Sequence, residues 1–164
     1  MKGKIEKICY TPIGYVHSPH SDPSKTPIQP IYAGGFKGYV EVLPEYVDGL
    51  DKLEDFSHIF LIVHMHLKQE TKLRVKPYLH DREKGIFATR SAARPNHIGL
   101  SLVRLEKIEG NKIWVNDLDL LDGTPVLDIK PFTRELDSRQ NTRDGWVELI
   151  DREKARKKGR RADH

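Results

Sequence analysis

Along much of the chain apolar residues alternate with polar ones, in short runs separated by proline, glycine, asparagine and aspartate. Such alternation puts apolar side chains on one face of an extended chain, so it predicts a series of short half-buried strands. The candidates are residues 5–10, 13–17, 38–43, 57–67, 86–88, 98–108, 112–118 and 126–129, with Thr11-Pro12 interrupting the first two. Residues 57–67 (SHIFLIVHMHL) carry the strongest pattern. There Ile59, Leu61, Val63 and Met65 share one face, and His58, Phe60, Ile62, His64 and His66 the other. With both faces largely apolar, this strand is expected to be central and buried on both sides at its middle. Glu109-Gly110-Asn111 predicts a hairpin turn between the strands on either side.

Helical spacing occurs in two places. Tyr46, Val47, Leu50, Leu53 and Phe56 recur every three or four residues, with Gly49 as a weak point. Residues 146–158 predict a terminal helix held by Val147, Leu149 and Ile150, its basic end projecting. Residues 18–30 carry Pro19, Pro23, Pro27 and Pro30 and so form a long loop of the kind that is functional or disordered. Residues 68–85 read as a charged connection with one short element, and 133–145 as loop. Many strands, few helices and no strand–helix alternation predict a mainly β fold: a single β-barrel domain over 1–150 with few short helices, then a basic C-terminal tail over 151–164.

Composition adds constraints. At 164 residues, 37% hydrophobic and 32% charged, the chain can bury one real core under a charged surface. No apolar run approaches the roughly 20 residues that span a bilayer, and Met-Lys-Gly-Lys leads into no signal-peptide core, so a cytoplasmic protein without a membrane partner is expected. The single cysteine, Cys9, excludes an internal disulfide and a thiolate metal cluster. Net charge is +4, and residues 151–164 alone hold seven Lys/Arg against three acids. The positive excess belongs to the tail, which is either a solvated surface or a source of phosphate contacts. No Gly-x-Gly-x-x-Gly follows a strand, so nothing supports a Rossmann nucleotide site.

Three groups of residues can carry chemistry. The loop 89–97 holds Arg90 and Arg94 with Thr89, Ser91 and Asn96, and Pro95 biases Arg94 towards an extended backbone. Two aimed guanidinium forks fit a polyanion, a carboxylate or a nucleotide; the plainer reading is a solvated loop whose arginines pair with nearby acids. His64 and His66 could join a third ligand at a metal, or merely line a pocket at a strand end. Asp117, Asp119 and Asp122 lie at or past a strand end, the first two expected on one face and Asp122 in a tight turn with Gly123-Thr124-Pro125. They form either an acceptor-rich rim for hydroxyls and amines opposite the arginine loop or, for Asp122, a turn cap.

ATRSAARPNHIGLSLVRL followed by LDLLDGTPVLDIKPF resembles the signature of the TrmO-type (YaeB-like, TsaA-like) family of S-adenosylmethionine-dependent tRNA methyltransferases. The blocks IGYVHSP, TPIQP and LEDFSHIFLIVHMH match in the same order, so the resemblance covers most of residues 13–132. Ala92 and His97 stand where the family usually has proline. The resemblance implies a β-barrel methyltransferase in a short form without the C-terminal domain, a homodimer with S-adenosylmethionine near the subunit interface, and tRNA as partner. It implies N6-methylation of threonylcarbamoyladenosine next to the anticodon. Carried over residue by residue, it puts Gln29, Pro30, Ile31, His66, Leu67, Arg90, Leu100, Asp117, Leu118, Asp119 and Leu120 at the cofactor. Arg94 and Asn96 would orient the modified nucleotide, and Asp122 or Asp119 would accept the proton or orient the amine. Two other readings remain: a metal-dependent enzyme using His64, His66 and one of the aspartates, and a nucleotide- or RNA-binding barrel without catalysis.

Overall fold

The computed structural model describes residues 7–160. Six antiparallel strands close into a barrel in the order β1 (Gly14–His17), β2 (Gly38–Val42), β7 (Lys112–Asn116), β6 (Ile98–Glu109), β3 (His58–His64) and β8 (Pro125–Pro131). Closure leaves no unpaired sheet edge. A separate two-stranded ribbon, β4 (Arg74–Val75) with β5 (Lys84–Gly85), stands in the long charged connection, where one short element was expected.

Alternation builds the core. Val16, Val40, Val42, Ile59, Leu61, Val63, Val103, Ile113, Val115 and Val126 all point inward and are buried. Each such side chain contributes about 1.5–3 kcal/mol by leaving water. Leu118 is fully buried against this cluster beyond the end of β7, while Leu50 and Leu53, on the turns after β2, join it from the far end. Glycine is required where strands meet closely: a Cβ on Gly38 would lie 2.3 Å from the His17 carbonyl oxygen and 2.5 Å from Leu118 Cδ2.

Several expectations change. Of the strand expected over 5–10, residues 5 and 6 lie outside the described residues, and 7–10 are exposed with no regular structure. Ladder pairing of β1 begins at Gly14, and Ile13 just before it bonds Val126 and Leu43, but the strand pairing does not reach back to residues 7–10. Residues 86–88 form a 3-10 turn, because the backbone N–H and Oγ1 of Thr89 both donate to the Ile86 carbonyl. The strand over 57–67 stops at His64, and only its Ile59/Leu61/Val63 face is buried; its other face lies outside the barrel, where Phe132 packs against Phe60. The helical spacing of 44–56 resolves into two 3-10 turns, Pro44–Leu50 and Leu53–Asp55, broken at Lys52 with φ +65°.

After β8 come the single turn α1 (Arg134–Asp137), a 3-10 turn over Gly145–Leu149 and the helix α2 (Arg152–Arg160). Of the expected anchors, Val147 is exposed and Leu149 is 78% exposed, while Ile150 is half-buried. Trp146, whose Nε1 donates to the Ala88 carbonyl, and the small residues Ala155 and Gly159 seat the segment. Among the described residues no helix is long and apolar enough to cross a membrane.

Candidate functional site

At one end of the barrel β3 and β7 finish and β6 begins, and three loops converge there. Gln29 precedes a 3-10 turn, Pro30–Tyr32, that contacts β6. Its Oε1 accepts a hydrogen bond from Arg90 Nη1 at 2.8 Å, which ties the proline-rich loop to the arginine loop. Arg90 also projects its charge onto Asp119. Asp119 accepts from Ser101 Oγ at 2.6 Å, and Ser101 points inward from β6. The bonded pairs Gln29–Arg90 and Ser101–Asp119, coupled only through the Arg90 charge, thus lie at the mouth of an apolar barrel.

Asp119 is the unusual member. The residue keeps some exposure as a whole, but its carboxyl group is enclosed, and removal from water pushes its pKa up to about 7; the Ser101 hydrogen bond and the Arg90 charge oppose that shift. It sits in a segment where Leu118 and Leu120 are buried and the aspartates between and beside them are turned aside. That segment is pinned from behind. His20 Nε2 donates to the Leu118 carbonyl at 2.9 Å, and Leu118 N–H donates to the Phe36 carbonyl at 3.0 Å. Burial lowers the His20 pKa, with the Leu118 bond opposing.

The three aspartates do not make one rim. Asp117 adopts φ +62°, which ends the strand before a shared face with Asp119 can form, and its Oδ1 accepts from Gly35 N–H at 3.3 Å. Asp122 is exposed and accepts from Ser18 N–H at 3.0 Å, while its own N–H donates to the His20 carbonyl at 2.8 Å. It clips the turn to the loop that follows β1.

Arg94 is partly committed: its Nη1 donates to the carbonyls of Thr89 at 3.0 Å and Ser91 at 3.4 Å, which holds the guanidinium over its own loop. Asn96 is exposed beside it. His97 adopts φ +50°, a value closed to proline, and its Nδ1 donates to the Ala92 carbonyl at 2.8 Å. This side-chain hydrogen bond braces the loop.

His66 lies in the turn after β3, off the face of His64, and its pKa is lowered by desolvation and then by the neighbouring His64. The His64 ring meets His97 edge-on instead, with centroids 6.4 Å apart. Among the described residues no three His, Cys, Asp or Glu side chains converge as metal ligands, so the metal reading lacks a third ligand. Ile31, Leu67 and Leu100 are exposed apolar side chains, Ile31 at 83%, next to half-buried Pro30.

Sequence reasoning missed Ser101, His20 and the C-terminal brace. The first had a signal, a lone hydroxyl on the inward face of an otherwise apolar strand. The brace had none: Ile28 N–H donates to the Gly159 carbonyl at 2.9 Å, and a Cβ on Gly159 would lie 2.7 Å from the Tyr32 ring. With Trp146 on Ala88, the C-terminal segment holds both loops that carry Gln29 and Arg90.

Comparison with known proteins gives consistent matches. The family model of the tRNA-methyltransferase O N-terminal domain matches residues 15–138. A probable S-adenosyl-L-methionine-binding protein of Pyrococcus abyssi is 51% identical over 155 residues, covering 93% of this chain and 84% of that protein. A tRNA (adenine(37)-N6)-methyltransferase of Homo sapiens is 39% identical over 139 residues, covering 79% of this chain and 31% of that protein. The crystal structure of TrmO from Pseudomonas aeruginosa superposes with a TM-score of 0.71 at 38% identity, over 85% of this chain and 62% of that one. The chain therefore spans less than two thirds of the crystallised relative.

Proposed function

This chain belongs to the tRNA-methyltransferase O family, and on that premise we propose that it methylates tRNA with S-adenosylmethionine, at N6 of the threonylcarbamoyladenosine beside the anticodon. The observation that carries this reading is the pair of bonds Gln29–Arg90 and Ser101–Asp119, with exposed Ile31 and Leu100 on the same loop and strand. The donor set fits the cofactor: Arg90 suits a carboxylate, Asp117 suits an ammonium group or ribose hydroxyls, and the apolar side chains suit an adenine face. His66 completes the walls, while Leu118 and Leu120, buried in the core, hold the aspartate segment from behind. When bound, the cofactor supplies an electrophilic methyl group on a sulfonium.

The acceptor nitrogen is a poor nucleophile, its lone pair delocalised into the ring and the carbamoyl group. Two things help it: alignment and a place for its proton. Asp119 serves the second need, because a carboxyl group that titrates near neutrality can take a proton at working pH. Asp122 is less suited, since its carboxylate is spent on the Ser18 backbone at an exposed turn. Arg94 keeps Nε and Nη2 for the threonyl carboxylate, and Asn96 stands beside it.

The reading includes a homodimer, working in the cytoplasm, with the cofactor close to the subunit interface. Support for the dimer comes from the solvent-exposed Ile31, Leu67, Phe87 and Leu100 on the cofactor loops and nearby strand, apolar surface that a second copy would cover. The test is methyl transfer from labelled S-adenosylmethionine to tRNA with and without the threonylcarbamoyl group. Incorporation only into the modified tRNA is expected. Cofactor binding without incorporation into either tRNA would refute the catalytic reading and leave a binding barrel.

A further inference from the structure

The helix α2 carries six basic residues and one acid in nine positions. Ala155 and Gly159 face inward, four residues apart, against the loop that bears Gln29 and Tyr32. At about 100° per residue, that seat turns Arg156 and Lys157 to the outside and puts Lys154 and Lys158 along a narrow cleft shared with His80 and Asp81. Arg160 lies over the Phe36 ring at 5.3 Å. Among the described residues, the one ion pair made by the helix is Lys154 to Asp151 at 4.0 Å. Arg152, Arg156, Lys157 and Lys158 are exposed cations with no acidic partner among those residues.

An uncompensated stripe of like charge destabilises an isolated helix, so its retention beside the two site loops calls for an external polyanion. We propose that α2 is a docking helix for the phosphate backbone of tRNA, set against the cofactor loop so that the strand beside the target nucleotide runs along Arg156, Lys157 and Lys158. This assignment rests on the methyltransferase reading above. An anionic membrane is the other polyanion a basic helix can meet, but α2 presents no apolar side chain outward and so has nothing to insert. The position is also right for RNA: the same helix that exposes these cations touches Tyr32 and Phe36 through Gly159 and Arg160.

The test compares the full chain with R156A/K157A/K158A, substitutions at exposed helical positions where alanine preserves the helix. Binding of unfractionated tRNA is measured across a salt series, with S-adenosylmethionine binding as the control for a folded site. Removing one phosphate-binding cation flattens the log–log salt dependence by about 1, so the slope should fall by about 2–3 and the affinity at least tenfold. Cofactor affinity should not change, and R156K/K157R/K158R should keep tRNA affinity. Unaltered tRNA affinity and slope in the alanine variant would overturn the proposal while leaving the methyltransferase reading intact. So would a variant that instead loses binding to phosphatidylserine vesicles. A wild-type chain that binds cofactor but no tRNA overturns the docking assignment and the tRNA-methylation reading together and leaves a cofactor-binding barrel; one that binds neither overturns the cofactor pocket as well.

Discussion

Replacing Asp119 by asparagine tests the site and the physics behind it together. The carboxyl group has an ordinary pKa of 3.8 and is pushed to about 7 in the folded chain. Between those values the unfolded chain has released a proton that the folded chain still holds, so stability falls as pH rises through the window and levels off above about 7. The full penalty is roughly 4 kcal/mol at 1.36 kcal/mol per pKa unit. Part of it is already present at pH 5, and it grows by about 2.5 kcal/mol between pH 5 and pH 8. Asparagine has no such titration, and every other ionisable group is common to both proteins. For a chain of this size 1 kcal/mol shifts Tm by about 2–4 °C, so the Tm of Asp119→Asn minus that of the wild type should be about 5–10 °C larger at pH 8 than at pH 5. Thermal melts at the two pH values read this directly. Methyl transfer should be lost in the same variant, making it a substitution that stabilises at alkaline pH and inactivates. An equal Tm difference at both pH values would refute the buried-carboxyl argument.

Gly159→Leu should push α2 off the Tyr32 ring and weaken S-adenosylmethionine binding at least tenfold with a small change in Tm, since Gly159 packs outside the barrel core; calorimetry and a melt separate the two effects. Leu118→Ala removes a fully buried side chain from the core and should cost about 2–5 kcal/mol in denaturant unfolding. His20 has its pKa lowered by burial, so on acidification the unfolded chain takes up its proton first and stability drops as pH falls below about 6.5. His20→Gln should flatten that acid limb of a Tm–pH curve.

The barrel was legible because its signal is local. Period-two alternation and the Gly110-Asn111 turn specify strands and a hairpin without knowledge of anything distant. The geometry of the candidate site was less so. Gln29 and Arg90 are 61 residues apart and Ser101 and Asp119 are 18 apart, and only barrel closure brings the four together. The φ of +62° at Asp117 separates it from Asp119, and a period-two reading has no means of seeing such a break. The C-terminal brace was missed for a related reason. Large apolar residues suggest themselves as anchors, whereas close approach to Tyr32 selects the absent side chain of Gly159.

The central claim is that Arg90, tied to Gln29 and Asp119, belongs to a cofactor pocket. Calorimetric titration with S-adenosylmethionine and S-adenosylhomocysteine, for the wild type and Arg90→Ala, tests it most directly. About one cofactor bound per chain is expected, with affinity at least tenfold weaker in the variant, which loses the 2.8 Å bond to Gln29 and a charge beside Asp119. No binding to the wild type, or full affinity in Arg90→Ala, would contradict it.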